Sequence, residues 1–401
     1  MPQRSSPAQI TISPRALGRL RSGHVWVYES DLLNKNNAEP GALVHVADSR
    51  GKVLGSALYS SSSQISLRLL GRETLASEDD LLALLSRRLE EAVAYRKRIV
   101  RNTDACRLVF SEADRLPGLI ADRYNDICTF QVLTQAWDRP ERKSAVIRHL
   151  HELTGAESIV ERVDERIRQL EQLVPLSPTV LHGARSKTVF TMNGVQFHYD
   201  AMGGQKTGGF LDQRENYAAA AGYAHGEALD VCTYQGGFAL HLARACEKVT
   251  AIDISREALE MAEQNEKLNT GSNKSEIEWM EANAFDLLND YSAMARQYDT
   301  IVLDPPAFAR SKRNLDAAIR GYKELNLRAL KMLRPGGILV TCSCSFHVSE
   351  SDFLEVLTSA AVDAHRSVRV LEKRTQAADH PILLGVPETY YLKCLICSVT
   401  T

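Results

Sequence analysis

Two cysteines two residues apart, Cys342 and Cys344, close an apolar run that follows Pro335-Gly336-Gly337. Read as a strand, the run puts both thiols on one face, with Cys344 nearer its carboxyl end. A thiolate there has a chemical use. Adding to carbon 6 of a pyrimidine, it turns carbon 5, otherwise a poor nucleophile, into a centre able to attack a methyl sulfonium. The plainer reading of either cysteine is a small buried hydrophobe. Asp304 weighs against that for Cys344. It opens Asp304-Pro305-Pro306-Ala307-Phe308, where two prolines remove backbone donors and fix an extended turn, holding the acid and the Phe in set directions.

Upstream, Leu229-Asp230-Val231-Cys232 runs into Thr233-Tyr234-Gln235-Gly236-Gly237-Phe238, a strand-to-helix turn with two glycines that let the backbone approach a ligand closely. The next strand ends Thr250-Ala251-Ile252-Asp253, and an acid at that tip can accept both hydroxyls of a ribose. Together they indicate an adenosine-type ligand; the competing reading of Asp253 is a cap for the helix that starts near Ser255. Cys394 and Cys397 form a CxxC inside an apolar run with no second pair, and read as core strand.

The elements that must position these residues alternate. Strands are expected at Ala228 to Cys232, Val249 to Ile254, Thr300 to Asp304 and Ile338 to Cys342, with helices at Phe238 to Ala245, Glu257 to Leu268 and Leu315 to Leu333. This is a parallel, doubly wound α/β sheet, whose ligand sits beyond the carboxyl ends of the strands. Ahead of it, short apolar runs punctuated by Pro40-Gly41 and Ser49-Arg50-Gly51-Lys52 indicate a small β-rich unit. Ser77, followed by acids and then Leu81, Leu82, Leu84, Leu85, Leu89, Ala92 and Val93, predicts a capped amphipathic helix. Arg87, Arg88, Arg96, Lys97, Arg98 and Arg101 on or after that helix read as a solvated face. Three domains result: residues 1–75, β-rich; 76–190, α+β; 191–401, the doubly wound sheet.

Composition fits globular domains, with 44% hydrophobic and 24% charged residues in 401. No apolar run reaches the roughly 18–20 residues of a membrane span and the start lacks a signal-peptide centre, so a cytoplasmic location is expected and no membrane partner. Eight scattered cysteines without zinc-ligand spacing read as free thiols, with no metal expected. Net charge is −2, but residues 1–110 carry 16 Lys/Arg against 11 Asp/Glu, leaving 32 against 39 for the rest. A basic front end is what an RNA-contacting unit would show.

With their flanks, these motifs resemble the bacterial family of 23S ribosomal RNA cytosine-5 methyltransferases that carry an N-terminal PUA domain. Methyltransferases acting on base nitrogens and on base carbons both grip a ring with an Asp-Pro-Pro-type turn. Gly23-His24-Val25-Trp26-Val27-Tyr28, Ala57-Leu58-Tyr59-Ser60 and Ser63-Gln64-Ile65 look like the PUA domain, and Glu112 to Leu119 with Asp122-Arg123 like the central domain. Lys206-Thr207-Gly208-Gly209-Phe210-Leu211-Asp212-Gln213-Arg214 looks like the motif that opens the catalytic domain. Ala377-Ala378-Asp379-His380-Pro381 and Tyr391-Leu392-Lys393 resemble its C-terminal end. The resemblance implies a Rossmann-like class I methyltransferase domain behind a small β-barrel PUA domain and a central α+β domain. It implies S-adenosyl-L-methionine as cofactor and large-subunit (23S) ribosomal RNA as partner, and it leaves a homodimer open. Asp230, Tyr234, Gly237 and Phe238 would line the methionine part, with Gln213 alongside. Asp253 would hold the ribose, Ile254 would also contact the cofactor, and Asn283, Ala284 and Phe285 would flank the adenine. Cys344 would be the nucleophile, with Cys342 as runner-up, and Asp304 would bond the target ring at nitrogen 3 or its amino group while also bordering the cofactor. Two competing readings are a guanine-nitrogen methyltransferase of ribosomal RNA, since Ser311-Lys312 follows the turn as in such enzymes, and a non-catalytic RNA-binding protein with this fold.

Overall fold

Alternating apolar residues in the first 75 positions form a six-stranded sheet in the computed structural model, which describes residues 6–203, 209–309 and 311–401, the side chain of Lys312 excepted. Lys206, Thr207 and Gly208 of the catalytic-domain motif, and the Lys312 side chain, lie outside the described residues. The sheet runs, in spatial order, Trp26–Tyr28, Ile65–Gly71, Val53–Tyr59, Leu43–Ala47, Ala8–Ile12 and Leu32–Asn34. Ile10, Ile12, Val27, Val44, Val46, Ala57 and Leu67 fill its interior.

The predicted capped helix spans Glu78–Ile99. Ser77 Oγ accepts from the Asp80 backbone N–H, and the Asp80 carboxylate accepts from Ser77 N–H, a complete capping box. Behind it lies a five-stranded sheet of Thr179–His182, Ser158–Arg162, Ile127–Val132, Leu119–Tyr124 and Ala105–Phe110. One core joins the two sheets: Leu43, Leu58, Leu70 and Leu75 pack with Leu81, Leu85 and Leu89 of the helix and with Val109, Leu119 and Phe130. The residues up to Phe190, with later segments near Tyr199 and Ala378–Thr389, therefore form one compact unit.

Two residues of the basic run are not a solvated face. Arg96 is buried, doubly bonded to Asp114 at 2.5 and 2.8 Å and donating to the carbonyl of Asp379. Arg88 is buried as well, donating to the carbonyls of Arg115 and Leu70. The C-terminal motif also acts here, since Asp379 accepts from Arg107 N–H at 2.9 Å.

The second unit carries the doubly wound sheet. Its seven strands lie in the order Ile277–Glu281, Lys248–Asp253, Glu227–Val231, Tyr298–Leu303, Leu333–Ser343, Lys393–Thr400 and Ser367–Arg374. The first five are parallel, and Lys393–Thr400 is antiparallel to both neighbours. Helices Arg256–Leu268, Ala284–Ala293, Leu315–Met332 and Glu350–Ala364 make the crossovers and returns. Glu227–Val231 is the first strand in sequence and sits between the second and the fourth. That reversal of winding opens a crevice at the strands' carboxyl ends. The fold class matches the expectation, and Cys394 and Cys397 are fully buried core residues.

Candidate active site

The first strand leaves the sheet through a strained turn. Cys232 and Tyr234 have φ of 65° and 52°, and Gly236 has φ of 85°; such non-glycine left-handed residues cost energy and concentrate at ligand sites. At Gly237 a side chain has no room, because a Cβ would stand 2.5 Å from the Tyr217 ring. Asp230, fully buried under the turn, accepts from Thr233 Oγ1 at 2.6 Å and from Ala239 N–H at 2.9 Å through one oxygen, while its other oxygen is buried with no partner among the described residues. Burial raises its pKa to about 7 against those two hydrogen bonds. Phe238 turns into the core, edge-on to Tyr217 at 4.7 Å, so the turn offers its backbone and not that ring.

Asp253 ends the second strand and is tied to the first turn: its oxygens accept from Tyr234 N–H and Ser255 N–H, each at 2.9 Å. Each oxygen keeps a lone pair for a ribose hydroxyl. Ser255, not Asp253, caps the next helix, with its Oγ accepting from Ala258 N–H. Ile254 is 69% exposed beside it, and Phe285 is exposed with its ring 5.9 Å from Phe308, so apolar walls stand open at this rim. Asn283 caps helix Ala284–Ala293, its oxygen accepting from Phe285 and Asp286 N–H. That oxygen is occupied, which leaves its amide N–H₂ as the open group.

On the other side of the crevice, Gln213 is buried and donates to Asp304 Oδ1 at 3.0 Å, and its own oxygen accepts from Asn216 at 2.7 Å. Gln213 thus holds the Asp-Pro-Pro acid in place. Burial, then the negative charges of Asp212 and Asp230, raises Asp304 to about 8, with the Gln213 bond opposing. The shift favours the protonated form of this carboxyl.

Cys344 lies one residue beyond the strand Leu333–Ser343 and is half-buried, its sulfur 3.7 Å from the carbonyl oxygen of Pro305. Ser345 knits the two loops together, its Oγ accepting from Ala309 N–H at 3.1 Å and sharing a hydrogen bond with the Tyr322 hydroxyl at 3.0 Å. Burial, and then the charges of Asp304 and Asp212, push the Cys344 thiol up to about 12, with Lys393 opposing. Cys342 is fully buried and pairs in register with Cys394 on the adjacent strand, and burial drives its thiol well above the usual range. Of the two, Cys344 has the open surface.

Two residues of the quoted motifs enter the site without a role assigned from sequence. Asp212 accepts from the Tyr391 hydroxyl at 2.6 Å, while its second oxygen is buried and has no partner among the described residues. Lys393, 3% exposed, donates to the carbonyls of Ser345 at 2.7 Å and Tyr391 at 2.9 Å. Burial lowers it to about 8, with the Cys344 charge opposing. The signals were the segments Phe210 to Arg214 and Tyr391-Leu392-Lys393 themselves.

Residues 114–387 match a family described as S-adenosylmethionine-dependent methyltransferase, and residues 10–72 match a PUA-like domain. The chain belongs to this methyltransferase family. Among the methyltransferase's relatives, an Alteromonas mediterranea protein named ribosomal RNA large subunit methyltransferase I is 36% identical, the match covering 98% of this chain and 99% of that one. A Klebsiella pneumoniae protein of the same name is 35% identical over 94% of each chain. In fold, the methyltransferase is similar to a methyltransferase solved in complex with SAH, with a TM-score of 0.82 at 17% identity, over 98% of this chain and 100% of that one. A SAM-dependent methyltransferase from Streptococcus mutans gives 0.80 at the same identity and coverage.

The cofactor is S-adenosylmethionine, and the methyltransferase's own residues fit it. The Asp230 oxygen left without a partner among the described residues, the close-packed Gly236-Gly237 turn, the Asp253 carboxylate and the exposed apolar Ile254 and Phe285 offer an anionic acceptor, an approachable backbone, a hydroxyl acceptor and an apolar wall, the kinds of group that such a molecule would need. Among the described residues no cluster of His, Cys, Asp or Glu could hold a metal, and no helix is long and apolar enough to cross a membrane.

Proposed function

We propose that this methyltransferase modifies carbon 5 of a cytosine in 23S ribosomal RNA through a covalent bond to Cys344. The observation that carries the reading is the half-buried Cys344 thiol held 3.7 Å from the Pro305 carbonyl, on the turn opened by the buried Asp304. The named activity of the relatives supplies the RNA.

The bound cofactor supplies an electrophilic methyl group. The chain must make carbon 5 nucleophilic. Cys344 sulfur bonds to carbon 6 while Asp304 gives its proton to ring nitrogen 3; the thiol is not ionised beforehand, so its proton replaces the one Asp304 has lost. Carbon 5, now enamine-like, takes the methyl. It then carries a hydrogen that must leave. The Asp212 oxygen accepts that proton, the C–H pair becomes the carbon 5–carbon 6 double bond, the carbon–sulfur bond breaks with its pair returning to sulfur, and Asp304 takes back the nitrogen 3 proton as it gives its own to the thiolate, which restores the thiol and leaves a neutral 5-methylcytosine. Gln213 keeps Asp304 aimed throughout, and the Ser345 bonds keep the cysteine loop against the turn.

Cys344→Ala tests the reading. Loss of turnover on large-subunit RNA with cofactor binding intact is expected. Substantial remaining turnover would move the activity to the guanine-nitrogen reading, which needs no cysteine; absent turnover in the unaltered protein, with cofactor bound, would leave the non-catalytic one.

A further inference from the structure

A cavity of about 230 Å³ opens where the last strand of the PUA-like sheet, Ile65–Gly71, meets helix Glu78–Ile99, and its lining includes Arg72, Arg87, Arg88 and Arg115. Arg88 is the unusual member. It is 5% exposed, and among the described residues its guanidinium donates to two backbone carbonyls alone, those of Arg115 and Leu70, and its buried Nε has no partner. Among the described residues it forms no ion pair. Burial, then the neighbouring charges of Arg115 and Arg87, lowers its pKa to about 10. A desolvated cation beside like charges is costly unless an anion joins it. The carboxylates at hand do not fill that role. Glu73 reaches Arg87 at 3.8 Å and is largely exposed, and Glu91 pairs with Arg115 on the surface. Four arginines against these two acids leave the cavity positive.

We propose that this cavity seats a backbone phosphate of the RNA substrate. Guanidinium groups suit phosphate because their planar donors match its oxygens, and a desolvated guanidinium such as Arg88 gains most from that match. Arg72 and Arg87 stand exposed at the rim, where a continuous polyanion, not only a small ion, can reach them. The inference rests on the RNA part of the functional reading. It is independent of the base modified.

Its test is anisotropy titration of a large-subunit RNA fragment between about 50 and 200 mM salt. For Arg72→Gln/Arg87→Gln the slope of log affinity against log salt should fall by about 0.7–0.9 for each phosphate no longer neutralised, while S-adenosylmethionine binding stays unchanged. Glu73→Gln, which removes a competing carboxylate, should move affinity the other way. This opposite response keeps the test decisive if an Arg88→Met protein does not fold. Inorganic phosphate at matched ionic strength should compete with RNA for the unaltered protein more than for the double variant. Unchanged slope and affinity in both variants would overturn the proposal. So would phosphate binding abolished in the double variant with RNA binding untouched, which marks a free-anion site. If the unaltered protein binds no RNA, the substrate reading fails with it.

Discussion

The Cys344 sulfur rests 3.7 Å from the carbonyl oxygen of Pro305, so the thiol and the Asp-Pro-Pro turn face one space although 39 residues separate them. Cys342, two residues earlier, is fully buried in register with Cys394. The difference arises because the strand ends at Ser343. Alternation governs side-chain direction only while the backbone stays extended, and Cys344 stands just beyond that limit.

Removing the ribose acid should weaken the cofactor without touching the chemistry. Asp253→Ala is expected to cost about 1.5–3 kcal/mol of S-adenosylmethionine affinity, the worth of hydrogen bonds to a charged group. Calorimetry reads this directly; an unchanged dissociation constant means that the ribose is held elsewhere.

Asp304 predicts a pH dependence of stability. Its folded pKa, about 8, stands above the roughly 3.9 of an unfolded aspartate, so the native state binds that proton more tightly. The resulting stability is complete below about pH 4 and is lost as pH rises towards 8, by up to about 1.4 kcal/mol per pH unit. Asp304→Asn, which never ionises, should lose this slope while losing methyl transfer. Parallel urea-denaturation stabilities for the two proteins from pH 5 to 8 would contradict the placement of that proton.

Asp212 should reveal itself in what accumulates. If it accepts the carbon 5 proton, Asp212→Asn halts after methyl transfer, and ordinary, unfluorinated RNA should remain bound to the protein through denaturation, carrying the transferred methyl. Asp212→Glu should restore release in part. A variant that turns over normally, or that never forms the bond, assigns the proton to another group.

Much of the second unit was legible because period-2 and period-3.6 apolar patterns mark its central strands and helices, and because Gly236-Gly237, Asp253 and Asp304 sit at strand ends. Ile277–Glu281 and Ser367–Arg374 escaped the reading. They are edge strands, and the second is mostly exposed, so their residues need not be apolar. Joining the PUA-like sheet to the central sheet was not legible either. The packing of Leu58, Leu85 and Phe130 is long-range, and each residue looks like the core of its own element. Arg88 and Arg96 differ from the expectation for a related reason: a long charged side chain on a helix is usually solvated, and partners distant in sequence, the carbonyls of Leu70, Arg115 and Asp379 and the Asp114 carboxylate, explain their burial.

Trapping on RNA containing 5-fluorocytosine tests the central claim most directly. Fluorine at carbon 5 cannot leave as a proton, so elimination stops and the carbon–sulfur bond persists. The account predicts a denaturation-resistant complex that forms only with S-adenosylmethionine present, is abolished by Cys344→Ser, and is retained in Cys342→Ser. A complex that survives Cys344→Ser, or none with the unaltered protein while it methylates the same RNA without fluorine, would contradict it.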